Sequence, residues 1–328
     1  MIKRLLFISI FMFFTSQALA ATEIKLALIA PEGSTWINVM NEWNAELVKK
    51  TAGRVKLKLY PGGVLGDERD VIRKMQYGQV HAAGFTGYGL GVLNPQVRLL
   101  ELPMLTQSYA EMDKIAAKFQ PKLEKGFEKK GFVLLAWNET GFVHIFSNKA
   151  ITKVKDLKGV RMWAWEGDPL IEKTCRVFGI VPIPLALPEV YTSLQTSLVD
   201  AVYAPPLGAI ALQWFTQTKY LSDLKLANST GGIVITKKAL QGLSAADQSI
   251  LKTTARKYSR MLVQRVRADN DKSFKTLQAA GLNVVSILPA EVELISRQSK
   301  KVWDGLAGKL YSKALLNELK SYLAELRK

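Results

Sequence analysis

The sequence predicts an α/β fold built on parallel strands. Two observations carry that reading. Segments with two-residue alternation take turns with segments of helical spacing along the whole chain, and the first three strand-like segments are separated by helix-length stretches, a βαβαβ run that requires parallel pairing with helices on the sheet faces. No internal repeat and no low-complexity linker interrupts the 328 residues. The two halves therefore read as woven together rather than tethered.

The elements follow in order. "EIKLALIAP" (23–31) alternates as a strand and stops at Pro31. Ser34 caps a helix that carries Trp36, Met40, Trp43 and Leu47 on one face and ends at Gly53. "RVKLKLYPGG" is a strand with Val55, Leu57 and Leu59 inward and Lys56 and Lys58 outward. "DERDVIRKMQYG" is a helix stopping at Gly78, and "VHAAGF" (80–85) is the next short strand, with "GYGLG" (87–91) expected as a loop at its end. "GFVLLAWN" and "FVHIFSN" read as two further strands.

"VRMWAWEGDP" (160–169) follows, a strand that places Arg161, Trp163 and Trp165 on one face. Asp168 then caps a helix with Pro169 in its first turn, lined by Ile171, Cys175 and Phe178 and closed by Gly179. "PEVYTSLQTSLVDA" (188–201) begins a helix at Pro188 with Tyr191, Leu194 and Leu198 on one face. "DAVYA" is a strand terminated by Pro205 and Pro206, "GGIVITKKA" another, and a helical pattern runs from Ser244 to about Ala279 before a C-terminal amphipathic helix.

The N-terminus has the layout of a secretory signal peptide. Lys3 and Arg4 precede the apolar run from Leu5 to Phe14, and small residues at 18–20 predict cleavage after Ala20. The run is too short for a bilayer span, which takes roughly 20 apolar residues. No cysteine near the cleavage position offers a lipid anchor. Cys175 is the only cysteine, expected as a small core residue on a helix rather than a reactive thiol. The formal charge is +17, of which Lys3 and Arg4 carry two, leaving +15 on the mature part. The cations come as scattered pairs such as Lys49–Lys50 and Lys237–Lys238, without interleaved aromatics. That predicts a solvated surface with a weak field for anions, and no nucleic-acid binding.

Catalytic signatures are missing. The two histidines, His81 and His144, each sit inside an apolar strand pattern. There is no nucleophile elbow, no zinc-protease helix and no metal-ligand spacing, and "GYGLG" does not match the dinucleotide fingerprint. No cofactor or metal is expected. Ligands of parallel α/β folds bind beyond the carboxyl ends of the strands, where "FTGYG" and "YAPP" are placed. This favours a binding protein over an enzyme.

Three stretches carry a family resemblance: "YPGGVLGDERDVIRKMQYGQV" (60–80), "SNKAITKVKDLKGV" (147–160) and "PEVYTSLQTSLVDA" (188–201). In this order and spacing the chain resembles the DctP-type periplasmic solute-binding proteins of TRAP transporters over essentially its mature length. The resemblance implies a two-lobe, type II-like clamshell crossed by a long helix, with a ligand cleft between the lobes. Its boundaries are 21–140 plus about 230–270 for the first lobe and 141–229 plus about 271–328 for the second. It also implies a small organic ligand, delivery to TRAP membrane permease subunits, and a monomer. A periplasmic sensor for a membrane receptor would use the same clamshell, and a neighbouring permease or sensor-kinase gene separates the two.

The usual ligand grip of that family is absent. Its carboxylate-binding arginine stands four positions after the glycine of "DLKG", where this chain has Trp163. A second frequent arginine is replaced by Val143, a frequent asparagine by Ala204, and a frequent aromatic by Leu187. Two ligand readings follow. In one, an organic acid of C4-dicarboxylate type is held by Arg161, roughly 6.6 Å along the strand from Trp163. In the other, Trp163, Trp165, Val143, Leu187 and Tyr203 form an apolar pocket for a neutral, aromatic or lipid-like ligand. A third possibility leaves the tryptophans as core filling behind the strand. Thr86, Tyr88 and Glu32, on the loops beyond the first strands, complete the expected site.

Overall fold

The computed structural model describes residues 21–328, so the expected signal peptide lies outside the described residues. The N-terminal part contains β1 (Thr22–Leu28), α1 (Thr35–Lys50), β2 (Val55–Tyr60), α2 (Glu68–Gln76), β3 (Ala82–Thr86), α3 (Gly87–Leu93) and α4 (Tyr109–Glu128). The middle contains β4 (Phe132–Ser147), β5 (Arg161–Trp165), α5 (Pro169–Phe178), β6 (Val181–Leu185), α6 (Val190–Gln195), β7 (Ala201–Ala204), α7 (Pro206–Ala211) and β8 (Tyr220–Ser222). The chain closes with β9 (Ala227–Thr236), α8 (Lys237–Gln241), α9 (Ala245–Ala279), β10 (Asn283–Val285), α10 (Pro289–Leu306) and α11 (Lys313–Leu326).

The strands run in the order β2-β1-β3-β9-β4 and then β4-β7-β5-β6. β1 pairs parallel with β2 and β3, as the βαβαβ pattern requires, and β9 joins antiparallel between β3 and β4. In the second half β5 lies parallel between β6 and β7. β4 belongs to both halves: Phe132–Val143 pairs with β9, and His144–Ser147 pairs with β7. "GFVLLAWN" and "FVHIFSN" are thus one strand of 16 residues rather than two. The expected break survives as a register shift between Glu139 and Gly141, where Gly141 takes φ 109. Each half is one lobe of a two-lobe α/β fold: a sheet with helices on both faces.

In the first half, Trp43, Met40 and Leu47 of α1 pack with Leu251, Leu262 and Val266 of α9 on one face of the sheet. On the other face Phe85, Phe119 and Phe132 pack with Trp303 and Leu319. In the second half, Trp163 and Val202 face α6 and the end of α9, while Met162 and Ala201 face α5 and α10. The 35-residue α9, roughly 50 Å long at 1.5 Å per residue, contributes Leu251–Val266 to the first lobe and Leu277 to the second.

Three expectations need correction. "GYGLG" is helical, not a loop: Thr86 caps α3, and its glycines leave room for charged side chains, since a Cβ on Gly87 would overlap the Glu101 carboxylate and one on Gly91 the Arg98 stem. Leu198 is exposed, because α6 ends at Gln195 before reaching it. The C-terminal region does not stay with the second lobe. α10 places Ile295 in the second-lobe core but Val302 and Trp303 against the first, and α11 packs Leu316, Leu319 and Leu323 there as well. We therefore assign the last helix to the first lobe.

Asn270 ties the long helix to the crossing strand. Its Nδ2 donates to the Thr140 carbonyl (2.9 Å) and its Oδ1 accepts from the Leu207 amide at the start of α7 (3.0 Å). Asn270→Ala leaves both backbone groups without this partner and should cost about 1–3 kcal/mol. Urea denaturation checks this; an unchanged midpoint and slope would show that the junction is held by other contacts.

Candidate functional site

Between the lobes lies a cavity of about 300 Å³, within the range of small-molecule sites. Its walls are overwhelmingly apolar. Trp163, Trp165, Tyr203, Val143, Leu187, Thr86 and Tyr88 all line it, and Ala204 does too. Arg161 and Glu32 do not. Glu32 is exposed in the turn after β1. Arg161 is turned to the surface because Asp200, on the adjacent chain before β7, takes its fork through Nε (2.9 Å) and Nη2 (2.6 Å). Arg161 is the first residue of β5, and the bidentate carboxylate beside it holds its guanidinium away from the cavity. Its side chain remains 43% exposed.

Trp163 is 2% exposed and sits in an aromatic cluster. The Tyr203 ring stacks on it at 4.9 Å, Trp165 lies at 5.1 Å and Trp214 meets it edge-on at 5.0 Å. Its indole N–H donates to the Leu185 carbonyl (3.1 Å) on β6, so it has no donor left for a ligand. The tryptophans therefore fill core and wall at once. Trp165 is stacked by Tyr88 at 4.8 Å, and the Tyr88 hydroxyl donates to the Glu166 carbonyl (2.7 Å). These contacts join the first lobe to the second across the cleft.

Sequence reading missed the buried charges of the cleft. Arg98, Glu101 and Asp168 all line the cavity, with side chains 7%, 8% and 2% exposed. Arg98 donates to Glu101 within the first lobe and to Asp168 (2.7 Å), the cap of α5, in the second. Glu101 also accepts from the Thr230 amide (2.7 Å). Burial pulls the Arg98 pKa down, but Asp168 and Glu101 outweigh it and hold the guanidinium charged. Burial pushes the Glu101 carboxyl up against the pull of Arg98. The signal was present in "PQVRLLELPML": two charges inside an apolar run, a pattern that needs partners if buried.

Other titratable groups are committed elsewhere. His144 faces the Ser222 carbonyl through Nδ1 (2.9 Å), and burial lowers its pKa to about 4, so it is neutral. Burial raises the Cys175 thiol to about 12, leaving no thiolate for nucleophilic chemistry. Thr86 donates to Glu68 (2.9 Å) and caps α3. Among the described residues, no group of three His, Cys, Asp or Glu could hold a metal ion, and no helix is long and apolar enough to cross a membrane.

The DctP profile, described as bacterial extracellular solute-binding protein, family 7, matches residues 26–310. The chain is similar to the 2,3-diketo-L-gulonate-binding periplasmic protein YiaO of Escherichia coli, 28% identical over 285 residues, covering 86% of this chain and 87% of that one. It is also similar to the sialic acid-binding periplasmic protein SiaP of Vibrio cholerae, 22% identical over 271 residues, 81% and 83% of the two chains. Among solved structures, the sugar acid binding protein DctPAm from Advenella mimigardefordensis, in complex with galactonate, superposes with a TM-score of 0.88 at 19% identity, covering 93% of this chain and 98% of that one. A TRAP periplasmic solute-binding protein from Ralstonia eutropha with bound (S)-2-acetolactate gives 0.86 at 23% identity, covering 92% and 99%. The last two matches establish likeness of fold.

Two predictions follow from the buried charges. Arg98→Met leaves Glu101 and Asp168 without their cation and should destabilise the protein by about 3–5 kcal/mol; adding Asp168→Asn should recover part of the loss, and denaturant melts of both variants read it. The second concerns Glu68, which accepts from Thr86 and Gly89 and whose carboxyl is raised, chiefly by burial, from its ordinary 4.5 to about 7. A raised carboxyl holds its proton in the folded state, so its contribution is full below pH 4.5 and is lost as pH rises through 7. Glu68→Gln should flatten the fall of stability across that window; an unchanged slope would place the titration elsewhere.

Proposed function

The chain belongs to family 7 of bacterial extracellular solute-binding proteins, the DctP family, and from that premise we propose that it is a receptor for an uncharged, largely apolar organic ligand. Members of this family are periplasmic solute receptors that work with TRAP membrane permease subunits. We read this chain as a monomeric receptor of that kind, not an enzyme, exported by cleavage after Ala20. The ligand sits in the cleft against Trp163, Trp165, Tyr203, Val143 and Leu187.

The observation that carries the reading is Trp163. Where the family resemblance leads one to expect an arginine, an indole stands with its only donor already used by Leu185. Among the described residues, two cations line the cavity, Arg98 and the surface-exposed Lys153, and neither stands at the position of Trp163. Arg161 is neutralised at the surface by Asp200, and Arg98 carries two carboxylates against its single charge. A ligand carboxylate beside Arg98 would have to compete with two carboxyl groups already bonded to that guanidinium, in a weakly screening environment.

An organic acid remains the second reading, favoured by what YiaO and the galactonate complex are named for binding. Binding to the purified protein separates the two. Wild type should take up the uncharged fluorophore N-phenylnaphthylamine at a single saturable site and give no heat with D-galactonate or succinate. Trp163→Arg should weaken the fluorophore by more than about tenfold, through lost stacking area and a buried unpaired charge, without creating succinate binding. Arg161→Ala should change the affinity less than about twofold, the range of a surface ion pair. Tight binding of galactonate by wild type, or unchanged fluorophore affinity in Trp163→Arg, would contradict the proposal.

A further inference from the structure

The cavity is lined from both sides of β5. Trp163 and Trp165 face the cleft, but Met162, on the opposite side of the strand, lines the same cavity, as do Ile145, Cys175, Phe178, Ile180 and Ile295. Those residues belong to the core layer between the second sheet and helices α5 and α10. A layer of this kind is ordinarily closed by interdigitating side chains. Here it stays open and continuous with the cleft around the carboxyl ends of β5 and β7, where Tyr203 stands.

We propose that this second arm is a pocket for the unbranched hydrocarbon chain of an amphiphile whose uncharged polar head lies beside Tyr203 and Arg98. The inference rests on the apolar-ligand reading above and names the class of that ligand. Three observations support it. The arm's walls are mostly aliphatic and sulfur-bearing side chains with the one ring of Phe178, and its cysteine and methionine are slim enough to conform to a chain. Its polar side chains are few: Ser299, whose hydroxyl lacks a partner, Thr174, whose hydroxyl donates to the Leu170 carbonyl (2.8 Å), and the surface-exposed Lys153. At the junction, buried polar atoms also lack a partner. The Tyr203 hydroxyl lies beside the Trp165 backbone without reaching hydrogen-bond geometry, and Arg98 Nε is likewise unpaired. One donor–acceptor hydroxyl and one N–H donor suit a hydroxyl or carbonyl head. A carboxylate head is disfavoured, because Glu101 and Asp168 surround the same guanidinium.

Displacement of N-phenylnaphthylamine by primary alcohols from butanol to dodecanol tests the arm. Each methylene entering it contributes about 0.8 kcal/mol, so affinity should rise about fourfold per carbon until the arm is full and then level off. Ile295→Trp, which fills the arm, should move the plateau to shorter alcohols; Met162→Ala, which lengthens it, should move the plateau to longer ones. Retained fluorophore binding reports that each variant is folded. Dodecanoate should bind at least about tenfold more weakly than dodecanol. Length-independent affinity, or a plateau that neither variant moves, overturns the arm while leaving the cleft reading intact. Equal binding of dodecanoate overturns the uncharged head. Galactonate binding with no displacement by any alcohol overturns the apolar-ligand reading itself.

Discussion

The indole of Trp163 is wedged against Tyr203, Trp165 and Trp214, and the chemistry of the cleft depends on that packing. An aromatic cluster of this kind adds roughly 0.5–1.5 kcal/mol per favourable pair beyond the area it buries. The neighbouring polar groups adjust to it: Leu185 takes the only indole proton, and Tyr88 covers Trp165 from the facing lobe. What is left to a ligand is the apolar edge of the stack and a few buried polar atoms.

The same contacts bear on closure. Arg98 to Asp168, Tyr88 to Trp165 and the Tyr88 hydroxyl to Glu166 all span the cleft. They connect a lobe whose sheet is anchored by α1 and α9 to one whose sheet is flanked by α5 and α10. β4 and α9 are common to both lobes, and Asn270 fastens one to the other next to Gly141, where the strand shifts register. The junction between the lobes is thus backbone hydrogen-bonded on both sides. A ligand favours the closed form only by what it adds to contacts that already exist between the lobes. For the ligand class proposed above, that addition comes chiefly from apolar area.

Much of the fold could be read from the sequence. The parallel βαβαβ start, the Ser34 and Asp168 caps and the long helix after Ser244 each rest on local chemistry that tertiary structure left unchanged. The errors lie where distant residues decide. "GYGLG" looks like a loop until Glu68, Glu101 and Arg98 are seen to need the space above its glycines. Arg161 shares a strand register with Trp163, yet its direction is set by Asp200, 39 residues away. Periodicity exposed the tryptophans, but nothing in the order of residues showed that the cavity also touches Met162 and Ile295 behind the strand. Packing density is a property of the assembled core and leaves no local mark.

The central claim is that the cleft holds an uncharged apolar molecule instead of a carboxylate. Native mass spectrometry of the protein purified from the periplasm of the organism that makes it, followed by organic extraction of whatever remains bound, tests this most directly. The account predicts a retained compound that partitions into the organic phase at neutral pH and lacks an ionised carboxylate. A water-soluble sugar acid or dicarboxylate released in equal amount to the protein would contradict it.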